Sequence, residues 1–229
     1  MLDVKNLQVA YGESQIINQL SFSVAKKETL AIMGRNGMGK TTLMKALIGI
    51  LKCRQGSVEI DGLDVAKFDS FKRVGSGLAY VPQGRQIFPT LSVEDNIRTG
   101  LSSVGKRKID DWIYTLFPVL KDMRRRRGGN LSGGQQQQLA IARALVSEPK
   151  VLLLDEPTEG IQPSIIKDIA RMLNEIKKLR DITIVVSEQV LSFTLEIADR
   201  ILVMEGGRFV HEDLRANVDE AKIHQYLAV

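Results

Sequence analysis

The sequence predicts an α/β fold in which helices flank a mainly parallel sheet. Two short and wholly apolar runs, KVLLLDE at 150–156 and DITIVVSE at 181–188, are typical of strands covered on both faces. The segment between them, residues 164–179, has the periodicity of an amphipathic helix, as the connection between parallel strands requires. A further apolar strand end at 31–33 runs directly into a glycine-rich loop and then into a helical pattern.

The other elements of the core follow in chain order. LDVKNLQVAYG and LSFSVAKKETLAIMG predict strands separated by turn residues, and we expect an N-terminal antiparallel β subdomain. A helix is predicted over 40–50, GSVEIDG predicts a strand and a turn, and GLAYVPQ predicts a strand that ends at Pro82. RILVMEGGRFV predicts a hairpin before a short helical tail.

Mainly helical patterns occupy residues 84–146. One helix is expected over 93–101, with Ser92 before it and acidic residues in its first turn, and another over 108–116. We therefore expect a single domain over 1–229. Its core would be formed by 1–83 and 147–229, and 84–146 would be an inserted helical subdomain.

The composition is that of an ordinary soluble globular protein. Of the 229 residues, 44% are hydrophobic and 26% are charged, and 32 lysines and arginines against 27 acidic residues give a net charge of +5. This charge leaves nucleic acid or an acidic membrane surface open as partners, although the arginine run at 124–127 is better explained as a solvated end of the helical subdomain. The single cysteine, Cys53, excludes an internal disulfide and favours a reducing compartment. No membrane span or secretory signal is predicted, so a membrane role requires a partner.

The segment GRNGMGKT, residues 34–41, fits the pattern G-x-x-x-x-G-K-T between a predicted strand and a predicted helix. In such a loop the backbone N–H groups point inward and bind phosphate, and the helix N-terminus adds positive potential. Lys40 is expected to reach the β and γ phosphates, and the Thr41 hydroxyl to coordinate Mg²⁺. The nucleotide-binding residues predicted here are Gly34, Asn36, Gly37, Gly39, Lys40, Thr41 and Thr42.

Acidic residues follow an apolar strand at the edge where a parallel sheet binds its ligand. Asp155 is predicted to hold Mg²⁺, and Glu156 to orient and deprotonate the water that attacks the γ-phosphate. Considered alone, this pair could equally cap the next helix. Gln83 stands where the core passes into the helical insertion and could sense Mg²⁺ or the attacking water. Tyr11 is a candidate for stacking on adenine, although a lone aromatic is more often packed in a sheet.

The stretch NLSGGQQQQLAIARAL at 130–145 combines a helix start with two glycines. Ser132 and Gln135 make the pattern S-x-x-Q, in which the serine accepts from an early N–H and the glutamine reaches back to the cap. That pattern does not explain Gly133 and Gly134, which weaken a helix unless another group approaches the backbone closely. We therefore predict a second anion site here. A head-to-tail dimer would place ATP between the phosphate loop of one chain and LSGGQ of the other.

Together and in this order, these residues closely resemble the ATP-binding cassette (ABC) ATPases. The resemblance covers nearly the whole chain: Tyr11, the phosphate loop, Gln83, LSGGQ at 131–135 and VLLLDE at 151–156. It implies a P-loop NTPase fold of ABC type and a dimer that closes on ATP and Mg²⁺, with residues 132–135 contacting the nucleotide. Hydrolysis would reopen the dimer and drive two membrane-spanning permease subunits through a groove beside Gln83.

The sequences of several segments indicate which branch of the family the chain resembles. YVPQGRQIFPTLSVEDNI, LFPVL, RRGGNLSGGQQQQLAIARAL and LDEPTEGIQPSII are similar to the ATP-binding subunits of bacterial importers for urea and short-chain amides, with the related branched-chain amino acid importers as the alternative. This implies a peripheral subunit on the cytoplasmic face of the inner membrane. Its partners would be two permeases, a second ATPase subunit in a heterodimer or homodimer, and indirectly a periplasmic binding protein.

The rival function is that of a soluble ABC ATPase acting on nucleic acid. Such relatives usually carry two cassettes in one chain or a long coiled coil between the halves, and this sequence has neither. We therefore expect no nucleic acid among the partners.

Two departures from the family pattern bear on hydrolysis. After DITIVV the family usually has a histidine that contacts the γ-phosphate, whereas this chain has Gln189. Glu159 and Gln162 occupy the loop where most relatives have a small residue and later an aspartate. Because a glutamine amide donates only a neutral hydrogen bond, slow hydrolysis by the isolated chain is expected. The catalytic residues implied by the resemblance are Glu156, Gln83, Gln189 and Lys40.

Overall fold

The strands form two sheets in a computed structural model that describes residues 1–105 and 108–228. The strands are β1 Leu2–Tyr11, β2 Ser14–Val24, β3 Thr29–Met33, β4 Gln55–Ile60, β5 Leu63–Asp64, β6 Leu78–Val81, β7 Val151–Asp155, β8 Thr183–Glu188, β9 Arg200–Glu205 and β10 Arg208–Leu214. The first sheet is antiparallel, with the order β2-β1-β4-β5. The second has the order β10-β9-β3-β8-β7-β6, and only β9 and β10 pair antiparallel in its described residues. The predicted fold class is confirmed.

Helices connect these strands and cover the second sheet. They are α1 Lys40–Ile48, α2 Ser70–Gly75, α3 Val93–Thr99, α4 Asp111–Leu116, α5 Pro118–Asp122, α6 Gly133–Leu145, α7 Pro163–Arg180, α8 Leu191–Ile197 and α9 Glu220–Leu227. The segment between β6 and β7 contains α3 to α6 and no strand among its described residues. None of the described helices combines the length and the apolar character that crossing a bilayer requires.

Some helix boundaries differ from the predictions. Helix α1 ends at Ile48 rather than at residue 50, because Gly49 takes the left-handed conformation at φ 85° and its N–H bonds to carbonyls in the last turn. Helix α3 ends at Thr99 rather than at residue 101, where Gly100 leads into a 3₁₀ turn. Helix α4 begins at Asp111 rather than at residue 108, since Asp110 still has an extended backbone.

Two apolar cores explain why the central strands are mainly apolar on both faces. All five residues of β3 are buried. Ala31 and Met33 pack into the core on the side of α6 and α7, whereas Leu30 and Ile32 pack into the core shared by α1 and the first sheet. Since a strand alternates its side chains between two faces, both faces must be apolar when both are covered. Burying a side chain of the size of Leu30 or Ile32 stabilises the folded state by about 1.5–3 kcal/mol.

Candidate active site

Most of the side chains predicted to bind and hydrolyse a nucleotide lie at one edge of the parallel sheet. The phosphate loop follows β3, Gln83 follows β6, Asp155 ends β7 and Gln189 follows β8. Because the carboxyl ends of parallel strands share an edge, residues distant in sequence meet there. A cavity of about 250 Å³ at this edge is lined by Ile16, Asn36, Gly37, Gly39, Lys40, Thr41, Thr42, Gln83 and Glu156.

Lys40 lies inside the phosphate loop and is only 4% exposed. Its ammonium donates to the carbonyls of Gly34, at 2.6 Å, and Arg35, at 3.0 Å. It also forms an ion pair with Glu156, with 3.0 Å between Nζ and Oε1. Gly39 has a φ of 104° at the start of α1, a conformation that a side chain would strain. The ammonium group of Lys40 thus lies within the phosphate loop, at the N-terminus of α1.

Asp155 accepts hydrogen bonds from three hydroxyls on three different elements. Oδ1 accepts from Thr41 Oγ1 at 3.1 Å and from Ser187 Oγ at 2.6 Å, and Oδ2 accepts from the Tyr80 hydroxyl at 3.1 Å. Burial raises the pKa of this carboxyl, and the three hydrogen bonds oppose that rise. Burial likewise raises the pKa of Tyr80.

The donor set at Thr41 and Asp155 fits Mg²⁺. A hydroxyl oxygen and a carboxylate oxygen lie 3.1 Å apart beside the phosphate loop. Magnesium is bound in proteins by one or two carboxylates together with phosphate oxygens and water, so these two oxygens suffice for the protein's share. Gln83 donates its amide N–H to Glu156, at 3.3 Å, and its contact with a metal stays a prediction.

Glu156 is the meeting point of the predicted catalytic residues. Oε1 accepts from Lys40 and, at 3.0 Å, from Gln189 Nε2, while Oε2 accepts from Gln83 Nε2 at 3.3 Å. Its backbone has a φ of 46°, and its N–H donates to the Ser187 carbonyl on the neighbouring strand. This left-handed conformation is unusual for a residue other than glycine and is typical of functional sites.

Gln189 bridges the phosphate loop and the end of β7. Its amide nitrogen contacts Asn36 Oδ1 at 2.9 Å as well as the carboxylate of Glu156. The residue that replaces the family histidine therefore lies beside the cavity.

The segment 132–135 and Tyr11 are not among the described residues that line the cavity. Ser132 and Gln135 form the predicted capping box, with 3.0 Å from Ser132 N to Gln135 Oε1 and 3.4 Å from Gln135 N to Ser132 Oγ. Tyr11 ends β1 and is 47% exposed. Their roles toward a nucleotide stay predictions.

Gly134 has a packing reason that the sequence did not reveal. A Cβ at this position would lie 2.5 Å from Ile165 Cγ2 on α7, which is closer than two carbon atoms can approach. The nearest group to a Cβ at Gly133 would be the Arg85 guanidinium, at 3.4 Å, which is an ordinary contact. The close approach at the second glycine is thus made by a neighbouring helix.

Sequence reasoning missed several polar residues of the site. Tyr80 and Ser187 lie within apolar strands, and Glu188 follows Ser187 at the end of β8. Ser187 is the parallel register partner of Asp155, so only the strand order, which the sequence does not give, brings it to the site. Arg85 belongs to none of the motifs that predicted the site. Its Nη2 donates to the carbonyls of Glu159, at 3.0 Å, and Gly160, at 3.3 Å.

Comparisons with known proteins agree with this geometry. Residues 17–159 match the model of the family described as ABC transporter. The chain is 37% identical over 219 residues to the high-affinity branched-chain amino acid transport ATP-binding protein BraG of Pseudomonas aeruginosa, with 94% of each chain covered. It is 35% identical over 214 residues to the probable branched-chain amino acid transport ATP-binding protein LivF of Archaeoglobus fulgidus, covering 91% of this chain and 89% of that protein.

Solved structures share the fold. A nucleotide-free ATP-binding cassette from an ABC transporter superimposes with a TM-score of 0.83 at 27% identity, covering 100% of this chain and 95% of that one.

Proposed function

The chain belongs to the ABC transporter family of ATP-binding subunits, and from this premise we propose that it energises the import of branched-chain amino acids. It is an ATPase that uses ATP with Mg²⁺. One observation supports the cargo: two relatives, similar over nearly their whole length, are both named for branched-chain amino acid transport. The sequence analysis placed importers of urea and short-chain amides first and branched-chain amino acid importers second. These relatives support the second of the two better.

Binding of ATP is proposed to exchange the contacts of Lys40. In the structure its ammonium is bonded to Glu156 and to loop carbonyls, all within 3.0 Å. The β and γ phosphates would take over this cation, and the backbone N–H groups at the start of α1 would bind the same phosphates. Thr41 and Asp155 would hold Mg²⁺, which when bound offsets charge on the phosphate oxygens.

Glu156 is proposed to deprotonate the attacking water once Lys40 has turned to the phosphates. The carboxylate then keeps the hydrogen bonds from Gln83 and Gln189, which orient it on both oxygens. A positioned general base contributes about 10²–10⁴ in rate. Gln189 also contacts Asn36 of the phosphate loop, so the amide lies where it can donate to the γ-phosphate.

One further set of contacts to the nucleotide is proposed to come from a second ATPase subunit, and another from Tyr11. Residues 132–135 of one chain would face the phosphate loop of the other, and Tyr11 would stack on adenine. The described part of 84–146 would act as the helical subdomain that carries residues 132–135, next to a core of 1–83 and 147–229. Two permeases would bring this assembly to the membrane, and a periplasmic binding protein would deliver the cargo to them.

Uptake by cells that lack the gene tests the cargo. We expect uptake of radiolabelled leucine, isoleucine and valine to fall, and the wild-type gene but not Glu156→Gln to restore it. Uptake of urea is measured in the same cells as the comparison. Loss of urea uptake with normal leucine uptake would replace our proposal with the amide importer, and stimulation of the ATPase by DNA or RNA with both uptakes normal would favour the nucleic-acid rival.

A further inference from the structure

Glu188 is a buried carboxylate beside the catalytic residues, and it is only 2% exposed. Oε1 accepts from the Thr158 hydroxyl at 2.6 Å and from the Thr158 N–H at 3.1 Å. Oε2 accepts from the backbone N–H of Gln189 at 2.8 Å and of Val190 at 3.1 Å. Each oxygen therefore serves a different loop.

Burial of this carboxylate is costly for the fold. Burial raises the pKa of Glu188, although the four hydrogen bonds oppose the rise. No ion pair to Glu188 is found among the described residues, so hydrogen bonds alone compensate its charge. An apolar residue would fill the end of a buried strand at lower cost. The choice of glutamate points to a role other than stability.

The two loops that Glu188 joins are the ones that carry the reacting groups. Thr158 lies two residues after Glu156, in the loop 156–160 that leaves β7. Gln189 contacts Glu156 at 3.0 Å and Asn36 at 2.9 Å. A single side chain thus joins the loop 156–160 to Gln189, and among the described residues it forms no hydrogen bond with the phosphate loop.

We propose that Glu188 is a positioning residue for ATP hydrolysis, which fixes the loop 156–160 and Gln189 in the relative position at which Glu156 can deprotonate water. The inference rests on the proposed role of Glu156 as the base. It predicts that changes at Glu188 lower the rate of hydrolysis and leave ATP binding intact.

Two substitutions weaken the half of this contact that involves Thr158 and leave the other half in place. A glutamine in place of Glu188 has one acceptor oxygen, which the N–H groups of Gln189 and Val190 would retain because they can only donate. Its NH₂ group would face Thr158, whose hydroxyl can turn to accept but whose N–H loses its partner. Thr158→Val removes only the hydroxyl bond at nearly constant volume. Both variants loosen the loop 156–160 and spare Gln189.

The test measures turnover and ATP affinity separately on the full chain. We expect Glu188→Gln to lower kcat about tenfold, the loss of roughly one hydrogen bond to a charged group. Thr158→Val should lower it by a smaller factor, and the Kd for Mg-ATP should stay within about twofold for both. Glu220→Gln, at an exposed carboxylate on α9, is the matched control and should change neither value.

A double-mutant comparison distinguishes positioning from general loosening. In single-turnover assays, Glu188→Gln should add no further loss to Glu156→Gln, because the group that it positions is already absent. Normal kcat in Glu188→Gln beside an inactive Glu156→Gln would overturn the Glu188 proposal alone. An additive loss, or a fall in ATP affinity equal to the fall in kcat, would also overturn it. If Glu188→Gln does not fold, the kcat of Thr158→Val decides by the same criteria. An active Glu156→Gln would instead overturn the proposed base.

Discussion

Replacing Glu156 with glutamine should abolish turnover and at the same time strengthen ATP binding. In the structure the Glu156 carboxylate pairs with Lys40, at 3.0 Å and with both side chains at least nine-tenths buried. The phosphates must displace this carboxylate before they can use the cation. A neutral amide of the same shape competes less, and it cannot take a proton from water.

The size of both effects follows from these contacts. A hydrogen bond to a charged group is worth about 1.5–3 kcal/mol, and a neutral acceptor gives roughly half of that. The Glu156→Gln variant therefore gives up about 1 kcal/mol less when the phosphates take Lys40, which corresponds to roughly fivefold tighter ATP binding. Loss of the base should lower kcat by about 10²–10⁴.

Calorimetric titration with Mg-ATP measures the first effect, and release of phosphate at saturating ATP measures the second. Glu220→Gln is the control, because it removes one negative charge from an exposed site on α9. Weaker ATP binding in Glu156→Gln would show that the carboxylate does not compete for Lys40. Turnover within about tenfold of wild type would refute the general-base role.

Four further changes test other contacts of the site. Lys40→Ala should weaken ATP binding by more than tenfold in a direct titration, since a buried charge-assisted contact is lost; unchanged affinity would contradict the phosphate-loop assignment. Asp155→Asn should raise the melting temperature of the nucleotide-free protein by about 2–4 °C at neutral pH, since burial raises the pKa of this carboxyl and its charge opposes folding. The sign requires this gain to fade as the pH falls through that raised pKa and the wild-type carboxyl becomes neutral; a gain independent of pH would count against it. Gly134→Ala should lower stability by about 1–3 kcal/mol in urea unfolding, because its Cβ would lie 2.5 Å from Ile165 Cγ2, and Ile165→Ala should cost less in that variant than in the wild type. Gln189→His should raise the turnover of the chain alone several-fold, which corresponds to about 1 kcal/mol. The ATPase activity of a mixture of wild type with a second ATPase subunit should exceed the sum of the activities of the two alone. Fast wild-type turnover that neither change affects would refute this.

The sequence predicted the core because its signals are local. The apolar run of β7, the phosphate loop and the start of α6 each need only a few adjacent residues to be recognised. Helix α8, Leu191–Ile197, was missed because it lacks the capping residue and the acidic first turn that revealed the equally short α3. Helix α5 was missed for the same reason, with five residues that begin at Pro118.

Site residues that belong to a sequence motif were predicted, whereas residues that reach the site only through the folding of the chain were missed. Lys40, Asp155 and Glu156 belong to motifs and lie together as expected. Ser187 and Glu188 reach the site through the pairing of β7 with β8, which no spacing in the sequence encodes. Gly134 was singled out as a position of close approach, but its neighbour Ile165 is far along the chain, so the packing reason for the glycine required the structure.

The position of β3 in the sheet has a consequence for the synthesis of the chain. This strand leads into the phosphate loop, yet both of its neighbours, β8 and β9, are among the last strands to be made. The bond from Thr41 to Asp155 spans 114 residues, and the bond from Lys27 to Thr183 spans 156. Contacts of such range carry a loop-closure cost and require both segments to be present. A ribosome-bound chain that has not yet emerged beyond β9 therefore lacks the strands that position its nucleotide site. ATP can then stabilise the finished subunit but not its precursor.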